Sequence, residues 1–193
     1  MTQFANVNEL YVDSWGEPSH EALFRARDGI DIRVMKWSED VTGEGVTLYW
    51  TSGASDIELP GMDPRHRQEF SVGFDPECDE VAESLAQVGM YAARSGKVLG
   101  DGHIYRADGP LWSESELVGY VVATEDSLGY VDLSDGRHVE FLMLVPAFRE
   151  ELDFAARLGV GALIKAQERA NIAFWDPFRK KVPLIGPPCG DQG

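Results

Sequence analysis

The sequence predicts a mixed α/β domain, on three observations. Segments that alternate apolar and polar residues, or that concentrate β-branched and aromatic ones, recur along most of the chain and read as strands. Between them lie stretches whose apolar residues return every three or four positions, the period of an amphipathic helix. The length of 193 residues suits one domain, at most with an appended lobe, because domains cluster at about 100–150 residues. A hydrophobic share of 44%, with 10% aromatic, supplies enough apolar surface to offset chain entropy and excludes intrinsic disorder.

Taken in order, the first thirty residues mix aromatic and acidic side chains without a clear period. Pro18 suits a first helical turn, so residues 19–27 are predicted as a short helix. Residues 30–37 alternate through Ile30, Ile32 and Val34, and 46–51 (VTLYWT) are β-branched and aromatic, so both are predicted strands joined through Thr42-Gly43-Glu44-Gly45. Residues 68–74 form a third, after a loop punctuated by Gly53, Pro60, Gly61 and Pro64. Asp75-Pro76 reads as an N-cap and first helical position, and Val81, Leu85, Val88 and Ala92 then mark an amphipathic helix ending near Gly96. Its acidic residues Glu77, Asp79, Glu80 and Glu83 suit the positive end of a helix macrodipole.

Beyond the Gly100-Asp101-Gly102 loop, residues 103–106, 117–124 and 129–133 are predicted strands. Asp135-Gly136 signals a hairpin of type I′, in which both central residues take φ > 0. It leads into 139–145, apolar enough to be buried on both faces. Pro146 is expected to end that strand and open a helix with Phe148, Leu152 and Ala155 on one face, and Gly159 separates it from a second helix through Leu163, Ile164 and Gln167.

Charge narrows the functional classes. Thirty-three acidic residues against 17 basic ones give a net charge of −16, which excludes non-specific affinity for nucleic acid or anionic membranes and would attract a basic partner. Such a charge is first a solubility device and second a steering surface. The longest apolar run, 141–145, is far short of the roughly 20 residues a membrane helix needs. The N-terminal stretch MTQFANVNELYVDSW has neither the basic nor the apolar region of a signal peptide, and Cys78 and Cys189 form no CxxC pair, so a cytoplasmic protein with reduced thiols is expected. A single long-range disulfide between the two is left open by their spacing.

No constellation points to catalysis, a metal or a cofactor. His20, His66, His103 and His138 lack ligand spacing, and Asp132, Ser134 and Gly136 are better used by a hairpin than by calcium. Gly43-x-Gly45 lacks the third glycine of a phosphate cradle, and no nucleophile elbow occurs. Glu150 and Glu151, adjacent on a helix, point apart and cannot share a proton. Asp101 with His103 is the best acid–base candidate, on a glycine-flanked loop that could place both on one surface. It sustains the alternative of an enzyme or small-ligand protein, against the reading that the histidine bonds its own loop. The basic cluster Arg179-Lys180-Lys181 is expected to pair internally.

The order of several motifs resembles the suppressor of fused domain family: IDIRV at 30–34, TSGASD at 51–56, Arg67-Gln68-Glu69-Phe70, Gly100-Asp101-Gly102-His103, VEFLMLVPAFREEL at 139–152 and Asp176-Pro177-Phe178-Arg179. The resemblance implies a central mixed β-sheet with flanking helices over 30–182, an N-terminal extension (1–29) packed on that domain and a loose tail (183–193). It also implies a non-enzymatic, protein-binding role. In the animal relative an extended peptide is captured by strand addition between two domains; only the first has an equivalent here. Bacterial members of the family have been proposed as immunity proteins that neutralise toxins, and an acidic surface suits a cationic toxin as partner. By the same resemblance Asp101, Gly102 and His103 mark a loop near the partner cleft, although one glycine more than the family pattern leaves Asp101 against Gly102 unaligned. Tyr91 on the preceding helix matches a cleft tyrosine, or else is an aromatic at the core's edge. Arg67, Glu69, Asp176 and Arg179 read as fold-supporting ion pairs or turn caps.

Overall fold

The alternating segments assemble into one eight-stranded sheet in the computed structural model, which describes residues 4–26, 29–125 and 127–184. Strands β1 (His20–Arg25), β2 (Asp31–Trp37), β3 (Thr47–Ser52) and β4 (His66–Phe74) form an antiparallel meander. β4 then pairs in parallel with β8 (His138–Phe148). On its other side β8 meets β6 (Leu117–Thr124) and β7 (Tyr130–Asp132), both antiparallel, and β5 (Ile104–Arg106) closes the far edge against β6. The order along the sheet is β1-β2-β3-β4-β8-β6-β5, with β7 continuing the line of β6 along β8.

Six α-helices lie among the described residues: α1 (Val7–Trp15), α2 (Glu39–Thr42), α3 (Val81–Gly89), α4 (Tyr91–Ser95), α5 (Arg149–Leu158) and α6 (Val160–Arg169). Successive strand residues point to opposite faces, and the two faces carry different layers. On one, Val34, Tyr49, Val72 and Leu144 pack with Val81, Leu85 and Val88 of α3. On the other, Met35, Trp37, Trp50 and Phe141 receive Leu10 and Tyr11 of α1. Farther along that second face, Val121 and Ala147 receive Leu152 and Ala155 of α5 and Leu163 of α6. As expected, Gly159 divides the last two helices, with φ of 87°; in the second of them Leu163 is buried and Ile164 is 41% exposed.

The structure differs from the sequence reading at four points. Residues 20–25 form a strand rather than a helix, because β1 finds a full antiparallel partner in β2, and tertiary pairing overrides the weak signal of Pro18. The helix expected from Pro76 begins at Val81 and breaks at Met90. Glu77 and Asp79 serve the ammonium of Lys36, at 3.0 and 2.6 Å, instead of a first helical turn. The hairpin before β8 is present, but its centre is Ser134-Asp135 and only Gly136 takes positive φ, at 88°. Asp135 is drawn into that position because its carboxylate accepts from the N–H and the guanidinium of Arg137. Finally, Pro146 lies inside β8, opposite Tyr120. β4 parts from β8 after the Ser71–Met143 pair, so the proline interrupts no ladder on that side and its carbonyl accepts from Arg179 at 2.8 Å.

Of the tail predicted over 183–193, residues 185–193, which include Cys189, lie outside the described residues; Leu184 packs on the cluster under α5 and α6. Cys78 is buried and forms no disulfide among the described residues.

Candidate partner-binding site

The residues that lead into β5 are held by their own backbone. The His103 N–H donates to the Gly100 carbonyl at 3.0 Å, closing a turn whose third residue, Gly102, has φ of 75°. A type II turn requires that conformation there, which glycine adopts without penalty. Gly102 donates to the Val122 carbonyl and His103 accepts from the Val122 N–H, both at 2.9 Å. The Asp101 carboxylate accepts from the Thr124 N–H at 3.2 Å. Asp101 is thereby spent on fastening the turn to the end of β6, and it forms no hydrogen bond with His103 among the described residues. The imidazole of His103 is exposed and has no hydrogen-bond partner among them.

β5 itself is an edge. Tyr105 pairs with Tyr120 of β6, and alternation in an antiparallel ladder turns the main-chain groups of Ile104 and Arg106 outward, where no strand meets them among the described residues. Tyr91, from α4, stands edge-on against Tyr105, with ring centroids 5.4 Å apart and planes at 85°. The fold thus brings Tyr91 to the strand that the Asp101–His103 turn feeds. It does so through Tyr105, which spacing did not single out. Burial, then the nearby carboxylate of Asp108, raises the Tyr105 phenol above its ordinary value.

The chain that leaves this edge at Ala107 runs into an acidic groove. The loop that follows β5, the outer face of α3 and strand β1 enclose about 830 Å³. Asp79, Glu80, Glu83 and Asp108 line it, and no lysine or arginine does among the described residues. Glu80 ties the loop to the start of α3 by accepting from the N–H of Ser113 at 2.9 Å. Sequence reasoning assigned these carboxylates to a helix macrodipole. Their convergence with Asp108 depends on the long return through β5 and left no local signal.

The other polar residues singled out from sequence support the fold. Arg179 and Glu151 form a buried pair at 2.6 Å, and Glu151 also accepts from the Val182 N–H. Glu150, by contrast, is exposed and meets Lys181 at 2.9 Å. Asp176 accepts from the Phe178 N–H and caps its turn. Arg67 donates to the carbonyls of Pro64 and His66 and has no carboxylate partner among the described residues. Glu69 is fully buried and accepts from Thr51 and from the N–H groups of Gly53 and Ser55; burial outweighs these donors and pushes its carboxyl up to about 7. His66 and His138 pair across β4 and β8, with rings 6.2 Å apart. Yet no group of three or more metal-binding side chains gathers among the described residues.

Comparison with known proteins agrees with this fold. The structure is similar to that of a SUFU homologue from Neisseria gonorrhoeae, with a TM-score of 0.68 and 18% identity over 93% of this chain and 96% of that one. It is similar to a chain of the Sufu–Fu complex, with a TM-score of 0.62 and 17% identity over 84% and 81% of the two chains. Drosophila Suppressor of Fused matches at a TM-score of 0.57 and 18% identity; 72% of this chain is aligned, spanning 38% of that one. No curated protein matches the sequence. A family model described as Suppressor of fused protein (SUFU) matches residues 26–180, most of the length over which the eight strands and the acidic groove are built, and the chain belongs to that family.

Proposed function

We propose that the domain is a non-enzymatic binder that captures an extended, basic segment of a partner protein along the free edge of β5. Its concrete role on this reading is that of a cytoplasmic immunity protein that neutralises a cationic toxin. The observation that carries the reading is an edge strand that pairs on one side only and runs directly into a loop lining a groove of carboxylates. Strand addition supplies main-chain hydrogen bonds, and the groove selects the basic side chains that flank the added strand. One member of the family has been crystallised as a Sufu–Fu complex, so a protein partner suits the fold.

The test is co-expression with the product of a neighbouring toxin gene. Rescue of growth and a stoichiometric complex are expected. Ile104→Pro removes one outward N–H from an edge strand and should abolish rescue while leaving the circular dichroism spectrum unchanged. Glu83→Lys with Asp108→Lys should slow association by roughly tenfold. Unimpaired rescue by the proline variant would remove the β5 edge from the interface. Full toxicity in the presence of the folded parent protein would end the immunity reading.

A further inference from the structure

Among the described residues no helix covers one strip of the sheet. α1 spreads over Met35, Trp37 and Trp50, and α5 with α6 covers Val121 and Ala147 on the same face. Between these covers Leu48, Trp50, Ser71 and Met143 line a cavity of about 470 Å³. That volume falls within the roughly 300–1,000 Å³ of small-molecule sites. The space exists because β4 and β8 part after the Ser71–Met143 pair. Phe174 and Trp175 also line it, and none of its lining residues belongs to β5 or to the turn before it.

Three properties define what would fit. The lining is mostly apolar and includes three aromatic residues, Trp50, Phe174 and Trp175. Its charged members, Glu44 and Glu125, are both acidic, and no lysine, arginine or histidine joins them among the described residues. Among the described residues Glu125 accepts only from neutral donors, the hydroxyl of Ser71 and the hydroxyl and N–H of Ser127, and no cation compensates its charge there. Trp50 lines the cavity yet is only 1% exposed, and its indole N–H is sealed from solvent with no hydrogen-bond partner among the described residues, so the residue meets the cavity as an apolar surface.

We propose that this cavity binds an organic cation with an apolar body. Glu44 and Glu125 attract the ammonium, the aromatic faces add cation–π attraction, and Leu48 and Met143 receive the apolar body. This site is separate from the β5 edge and stands whether or not a toxin is bound there.

The test uses phenylalaninamide, which carries an ammonium and a ring, with N-acetylphenylalanine as a probe of the same ring and opposite charge. The readout is the indole N–H resonance of Trp50 in the full chain, assigned by its loss in Trp50→Phe. The cationic probe should shift that resonance saturably and bind roughly tenfold more tightly than the anionic one. Glu44→Gln, at an exposed loop position, should weaken binding several-fold, and Glu125→Gln more, with unchanged thermal melting. An unmoved Trp50 resonance at the solubility limit of phenylalaninamide, or equal affinity for the two probes, would overturn the proposal. So would binding that emerges only after truncation at Leu184, because the chain's own last residues would then be the occupant.

Discussion

Glu69 and Glu151 are both carboxylates with no exposed surface, and their neighbours give them opposite behaviour. Glu151 faces the guanidinium of Arg179, so removing the cation strands a charge. Arg179→Ala should cost about 3–5 kcal/mol in urea unfolding, and adding Glu151→Gln should recover part of it. A loss within the scatter of surface mutants would show that water reaches the site. Glu69 has only neutral donors, and its folded carboxyl titrates at about 7, above the ordinary carboxylate range. The folded state therefore holds a proton that the unfolded chain has released by about pH 5. This contribution is fully present below the unfolded value and is lost as pH rises through about 7. Unfolding free energy should fall by roughly 3 kcal/mol from this group between about pH 4.5 and pH 8, and Glu69→Gln should flatten that slope. An identical pH dependence in the variant would assign the slope elsewhere. The pairing of Glu151 was foreshadowed by helical direction, since Glu150 and Glu151 had to diverge. The state of Glu69 was not, because burial at one position of a strand depends on what covers the sheet.

At the level of elements, the strands were legible where alternation or β-branching is strong, as in β2, β3 and β8. β1 was not, since HEALFR carries no period and owes its conformation to β2. The late start of α3 was hidden because acidic residues serve a helix N-terminus and a buried lysine equally well. The motif order pointed to the turn at 100–103, but the free edge beside it emerges only from the strand order. That edge depends on Gly119 of β6. A methyl there would lie 2.2 Å from the Tyr105 carbonyl oxygen, 2.8 Å from Leu152 and 3.2 Å from the Arg106 Cα. Two of these atoms are backbone and cannot rotate away. Gly119→Ala should therefore lift β5 from β6, lower the melting temperature and speed hydrogen exchange at the Tyr105 and Ala107 amides. Protection equal to that of the parent would mean that β5 can move as a body without losing its pairing.

For the whole molecule, the charge of −16 acts through space. Association with a basic partner should slow by at least about tenfold as salt rises from roughly 0.05 to 0.5 M, because screening shortens the reach of the field. A flat rate would return the charge to a solubility role. The parallel pairing of β4 with β8 has a consequence of another kind, in time. Each flanking set of antiparallel strands is closed mostly by nearby chain, whereas Gln68 and Glu140, bonded across the junction, are 72 residues apart. Loop closure makes such contacts slow to form. The two halves should organise first and join last, so Gln68→Ala should leave the folding rate nearly unchanged and accelerate unfolding, which stopped-flow kinetics would read directly. The junction would then be the first part of the sheet to open and the last to close.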